Sequence, residues 1–374
     1  MYYPLNYFLS RPDARQFFKD MEANRATLNV RRSEQLALAR LEPWIRSQGG
    51  NERSPSEAMV EVTQELQGML AWGEWALRGR RIISVQESLC HAFEHSDCAE
   101  LHIADVLPED PATLYLHFQG TLESPVDLGD GAHLEGAYVV SHPGAAMRVV
   151  LCSRAPGSWP AGAKWRERYD LRIPAEFLHL GADAAIDKAL EEDLADLRAA
   201  RASPRVRDDP VSTQAVDTLL QRMQEGLGAY RSALRLVLNT LAYLKHYNAD
   251  SRVGWPTQAP ERLTAQTLSA APKERARGLS KLWALGFTPV TFLGEDFADK
   301  LRRSNAGGTL RTHWRRGHWR NQLHGPAFSL RKLIWLQPTL VGADRQEAAT
   351  SKASPSPAVK KKTAQATLGQ SSKE

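Results

Sequence analysis

The chain has 374 residues, 42% of them hydrophobic and with a formal net charge of +5, enough apolar side chain for one large core or two modest ones. No run approaches the roughly 20 apolar residues that cross a bilayer, and the N-terminal stretch MYYPLNYFLSRPDARQFF lacks the basic leader, apolar h-region and small-residue cleavage site of a secretory signal. The three cysteines, Cys90, Cys98 and Cys152, are an odd, small set without a disulfide framework, so the expectation is a cytoplasmic protein with no membrane partner.

Residues 11–46 and 55–80 carry helix-like patterns, separated by the loop SQGGNERS. Pro55 stands near the start of the second, where a missing N–H costs little. Within Cys90-His-Ala-Phe-Glu-His-Ser-Asp-Cys98, the residues His91, His95 and Cys98 fall at i, i+4 and i+7, a spacing that puts metal ligands on one helical face. A fourth ligand is missing, and Leu89 and Phe93 read as core, so the simpler expectation is a partly buried helix end. Strand-like patterning follows. Leu114, Leu116 and Phe118 alternate with Tyr115 and His117, and Ala137–Val140 and Met147–Cys152 are short β-prone runs whose spacing predicts an antiparallel meander or hairpin.

Residues 185–201 predict a charged helix. Beyond it, Val216, Leu220, Met223, Leu227, Tyr230, Leu234, Val237, Leu241 and Leu244 keep a strict 4-3-4-3 spacing, the stripe of one long helix. Leu219, Leu236, Leu238 and Tyr243 widen that stripe, which favours burial on two sides within one chain over a dimerising coiled coil. Residues 273–285 read as a further helix and 287–293 as a strand. Two strands, 309–319 and 329–340, are expected around an NQLHGPAF loop. From about residue 343 the composition is rich in Ser, Ala, Lys, Pro and Thr and cannot support a core.

The basicity is concentrated near the end. Between Leu301 and Gly342 there are eight basic residues (Arg302, Arg303, Arg311, Arg315, Arg316, Arg320, Arg331 and Lys332) and no acidic ones, which leaves the preceding body net acidic. That asymmetry points one face at an anionic partner. Arginine forks bind phosphate bidentately, and tryptophan offers a flat face for stacking bases. The candidate nucleic-acid-binding set is therefore Arg311, His313, Trp314, Arg315, Arg316, His318, Trp319, Arg320 and Lys332. The structural alternative makes Trp319 and Trp335 core residues of a hairpin, with the arginines paired to the acidic body. Trp335 stands in a strand apolar on both faces, which predicts a central, buried strand. Trp319 has polar neighbours, His318 and Arg320, which predicts a more exposed setting. His313 and His318 are the candidates for acid–base chemistry, although no catalytic set is firm. With His324 they form only a weak metal signal, so no metal and no cofactor are expected.

The run His313-Trp-Arg315-Arg316-Gly317-His318-Trp319, followed by Gly325 and then Lys332, Trp335 and Pro338, resembles the C-terminal signature of the second type V-A anti-CRISPR family. That signature reads approximately His-x-Arg-Arg-Gly-His-Trp, a Gly-containing loop and a Trp-x-x-Pro strand. Weaker similarity covers the strands near 112–119 and 134–140, the segment 173–190 and the long helix ending near Asp250. The N-terminal helices and the Lys-rich tail match only in general character. The family is carried by phages, plasmids and other mobile elements. The resemblance implies a protein that lowers the level of a type V CRISPR effector in the cytoplasm of a bacterial host. It would do so by recognising the effector's nascent polypeptide and triggering loss of its mRNA.

The expected architecture is α+β: a helical N-terminal part, a small antiparallel sheet, a long central helix and a basic β-rich C-terminal module. The expected segments are 1–205, 206–300, 301–342 and a disordered tail, 343–374. The expected partners are a nascent polypeptide and mRNA or the ribosome. The alternatives are a metal-independent ribonuclease, with Arg315 or Arg316 on the phosphate, and a DNA-binding plasmid-maintenance protein.

Overall fold

The structure is a computed structural model and describes residues 2–48, 54–107, 113–119, 133–141, 147–154, 165–247, 250–304 and 313–341. The expected tail, 343–374, lies outside the described residues, as do 309–312. The chain opens with α1 (Tyr3–Ser10), α2 (Pro12–Ala23), α3 (Val30–Gln48) and α4 (Pro55–Leu77). Ser54 and Glu57 close a reciprocal capping box at the start of α4, and Pro55 takes the first helical position, as its fixed φ allows. There follow β1 (Arg81–Val85), α5 (Glu87–Glu94), β2 (Ser96–Asp97), α6 (Ile103–Val106) and the meander β3 (Thr113–Phe118), β4 (His133–Ser141), β5 (Met147–Arg154) and β6 (Trp165–Ile173). Helices α7 (Ala182–Ala202), α8 (Pro204–Arg207) and α9 (Pro210–His246) come next, then β7 (Ser251–Gly254), α10 (Glu261–Gln266), α11 (Pro272–Ala284), β8 (Val290–Leu293) and α12 (Glu295–Ser304). The last strands are β9 (His313–Arg315), β10 (Gly317–His324), β11 (Leu330–Leu336) and β12 (Thr339–Val341).

The architecture is α+β, with helices leading and short strands closing the chain. The antiparallel meander forms one flank of a larger mixed sheet, ordered β6-β5-β4-β3-β1-β8-β7. Its centre is β1, which pairs in parallel with both β3 and β8. Side chains alternate across this sheet, and both faces are covered. Ile82, Tyr115, Tyr138, Val150 and Val290 join a core with Trp72, Trp75 and Phe17 of the N-terminal helices. Ile83, Leu114, Leu116, Val139 and Val149 join a second core with α5, α7 and α9.

Helix α9 is the spine of that second core. Asp209 caps it, its side chain accepting from the backbone N–H groups of Val211 and Ser212. The widened stripe acts within the chain: from Ala233 to Tyr243 every residue except Arg235 is buried. The strands β10 and β11 pack against the same stretch of helix, so the long helix positions the C-terminal hairpin. No helix among the described residues is long and apolar enough to cross a membrane.

Candidate nucleic-acid interface

Strands β10 and β11 form an antiparallel hairpin in which Trp319 faces Trp335, Arg320 faces Ile334, and Gln322 faces Lys332. A parallel step from Gly317 and His318 onto Ser96 and Asp97 ties β10 to β2. The pair β9 and β12 continues the hairpin as a separate two-stranded ladder. Gly317 sits at the junction, with its N–H donating to the carbonyl of His95. A Cβ here would lie 2.6 Å from Pro338 Cδ and 2.8 Å from Ser96 Oγ, so the close approach requires glycine.

The pleat divides the hairpin into two faces. The inner face carries Trp319, Leu333 and Trp335, all buried. The indole Nε1–H of Trp319 donates to Asn239 Oδ1 at 2.7 Å, and that of Trp335 donates to Ser96 Oγ at 3.0 Å. The two indoles stack at 6.2 Å, and Phe93, Tyr243 and Phe297 crowd Trp335 while Tyr247 abuts Trp319. Burial and these ring contacts leave no face of Trp319 for a base, so the expectation that it stacks on nucleic acid is corrected. Its polar neighbours misled because alternate residues on a strand face opposite ways. The expected central position of β11 is corrected as well. It is the edge of a three-stranded sheet, with Leu330 and Leu336 exposed, and the Tyr247 hydroxyl accepts from its Trp335 N–H.

The outer face carries His318 and Arg320 from β10 and Lys332 from β11, all exposed, around the half-buried Ile334. Arg320 and Lys332 are diagonal neighbours across the ladder, roughly 7–8 Å apart at Cα. Arg315 and Arg316 are exposed just before the bend. Arg316 Nε lies 3.7 Å from Asp97 Oδ2, a loose, exposed pair worth little. The structure thus places His318, Arg320 and Lys332 on one outer face of the hairpin, with Arg315 and Arg316 exposed at the bend that leads into it. Arg311 and the side chains of His313 and Trp314 lie outside the described residues. His318 and His324 share the outer face but stand six residues apart, about 20 Å along a strand.

The turn of the hairpin holds a residue that the sequence reading missed. Gly325, Ala327 and Phe328 all have positive φ, and the Phe328 ring is 70% exposed. Left-handed backbone at non-glycine residues costs of order 1–2 kcal/mol each. The hairpin accepts that cost and presents an aromatic ring at its tip, beside exposed Leu323 and Leu330. The Gly-Pro dipeptide inside an otherwise alternating run was the signal that could have found it.

The possible metal set does not assemble. Helix α5 stops at Glu94, so the i, i+4, i+7 face ends before Cys98. His91 pairs with Glu94 at 3.4 Å, while the Cys98 thiol is buried and pushed up to about 12, first by desolvation and then by Asp183. Among the described residues no group of three or more His, Cys, Asp or Glu side chains is arranged to hold a metal ion.

One family model matches the chain, the AcrVA2-like model described as the anti-CRISPR type V subtype A2 family, over residues 83–343. The match runs from β1 to the end of the C-terminal hairpin. No curated protein and no solved structure matches the chain significantly.

Proposed function

Because the chain belongs to the anti-CRISPR type V subtype A2 family, we propose that it silences a type V CRISPR effector at the level of its translated message. In this reading the protein recognises the effector's nascent polypeptide and triggers loss of the mRNA. The outer face of the β10–β11 hairpin is the surface turned toward RNA or the ribosome.

One observation carries the RNA-facing part of the reading. Exposed cations run along the hairpin, Arg315 and Arg316 at its base and Arg320 and Lys332 on its outer face, and an exposed aromatic ring, Phe328, stands at its tip. Cations give phosphate affinity without sequence preference, and an exposed ring stacks any unpaired base. Phe328 takes the stacking role for which Trp319 is too deeply buried. The inner face and α9 hold these groups on a rigid support, as a contact surface requires.

The test is binding of the purified chain to a labelled message at several salt concentrations. Changing Arg320 and Lys332 together to Ala should weaken binding and lower the salt slope by about two, one for each cation withdrawn from a phosphate. An unchanged affinity and slope in the folded variant would remove the hairpin from the RNA contact. Cleavage of the message by the protein alone, without ribosomes, would favour the ribonuclease reading instead.

A further inference from the structure

On the opposite face of the mixed sheet a second group of residues lines a cavity of about 360 Å³ that is open to solvent on one side. Its walls are Phe18, Glu22 and Arg25 from the N-terminal helical layer, Gly79 and Arg80 after α4, and Trp255, Trp283 and Phe287. The volume falls in the range of small-molecule sites, roughly 300–1,000 Å³. Phe18, Glu22, Arg25 and Arg80 all precede the span matched by the family.

Arg80 is the unusual group. Its backbone is left-handed, with φ of 58°. Tertiary contacts hold it there: its N–H donates to the Trp75 carbonyl, and the Thr288 hydroxyl donates to its own carbonyl. The guanidinium lies 3.4 Å from the centroid of the Trp283 ring and 5.2 Å from that of Phe18. Its Nε donates to the Ala76 carbonyl at 3.1 Å. Among the described residues no carboxylate lies within ion-pair distance of it. Burial pushes the guanidinium down to about 10, against the opposing pull of the more distant Glu22. A half-buried cation in strained backbone, without a counterion and at the wall of a cavity, is a group arranged for a ligand.

We propose that this cavity binds a small ligand in which a carboxylate or phosphate is joined to a flat apolar body. The free edge of the Arg80 fork meets the oxyanion, with Arg25 at the rim adding a second cation. Trp255, Phe287 and the apolar stem of Leu279 receive the flat body. Glu22 at the rim opposes the anion and excludes more highly charged ligands. This site goes beyond the proposed function and does not depend on it.

The test is calorimetric titration of the full chain with two probes, adenosine 5′-monophosphate and indole-3-acetate. At least one should bind in the micromolar to millimolar range. The phosphate and carboxylate sources are separated by which probe binds. Glu22 and Arg25 are exposed, so their variants keep the fold. Arg25→Ala should weaken binding about 2- to 5-fold and Glu22→Gln should tighten it by a similar factor, the worth of one exposed charge. Arg80→Lys, which keeps a charge and loses the fork, should weaken it at least about 10-fold. The Arg320→Ala, Lys332→Ala variant should bind the mononucleotide as the parent does, which separates this cavity from the hairpin face. Failure of both probes to bind at millimolar concentration overturns the proposal. So does binding that is indifferent to Arg25→Ala and Glu22→Gln in folded protein, whatever Arg80→Lys does to stability.

Discussion

Replacing Trp319 distinguishes a scaffold residue from a stacking platform. Trp319 is fully buried, its indole N–H is held by Asn239, and its ring packs on Trp335 and Tyr247. Trp319→Ala empties a large core site, which costs about 3–5 kcal/mol. It also orphans the Asn239 carbonyl oxygen, whose desolvation adds about 1–3 kcal/mol. The two effects overlap in one site, so about 4–6 kcal/mol is the working figure. Unfolding entropy of about 2.1 cal/mol/K per residue gives about 0.8 kcal/mol/K for 374 residues, so the melting midpoint should fall by about 5–8 °C. Trp319→Phe keeps most of the ring and loses only the donor, and should cost about 1–3 kcal/mol. Thermal melting of both variants, beside their RNA affinity, decides the matter. A Trp319→Ala protein that melts within about 1 °C of the parent yet loses RNA binding would refute the burial argument.

Three further outcomes follow from the same geometry. Gly317→Ala drives a Cβ into Pro338 and Ser96 and should destabilise by about 1–3 kcal/mol, read by chemical denaturation, with faster amide exchange at the β2–β10 step. His318→Ala removes an exposed side chain and should stay within about 0.5 kcal/mol of the parent while losing activity in cells; unfolding would make His318 a structural residue. Burial, with Asp170, Asp196 and Glu192 nearby, holds Asp193 up at about 6, although the Tyr169 hydroxyl donates to it. The folded chain therefore keeps a proton that the unfolded chain has already released, and the stability this contributes, full below the unfolded value, is lost as pH rises through about 6. Asp193→Asn should raise the melting midpoint at pH 7 and leave it nearly unchanged at pH 4.

The parts of the fold legible in the sequence are those whose signals are local and periodic. The 4-3-4-3 stripe from Val216 to Leu244 lies within α9, and the alternation from Leu114 to Phe118 lies within β3 of the meander. Strand β1, Arg-Ile-Ile-Ser-Val, was not legible: it is five residues long, and its parallel partners β3 and β8 are remote in sequence. The alternative of a metal face at His91, His95 and Cys98, set aside for a partly buried helix end, does not form because α5 stops at Glu94, and spacing alone does not say where a helix stops. At the hairpin, the charge asymmetry marked the right segment, and the cations Arg320 and Lys332 do reach one outer face. The assignment of the aromatic rings needed the pleat. Trp319 shares its face with Trp335 across the ladder, whereas Phe328 is expelled by a left-handed turn that composition does not encode.

The most direct test of translated-message silencing follows message lifetime in a translating extract. The message encodes a type V effector, and the comparison is between the parent protein and the Arg320→Ala, Lys332→Ala variant, with and without a block on initiation. The parent should shorten the message lifetime only while the message is translated, and the variant, though folded, should not. A message of unchanged lifetime, together with direct inhibition of the finished nuclease, would contradict translated-message silencing.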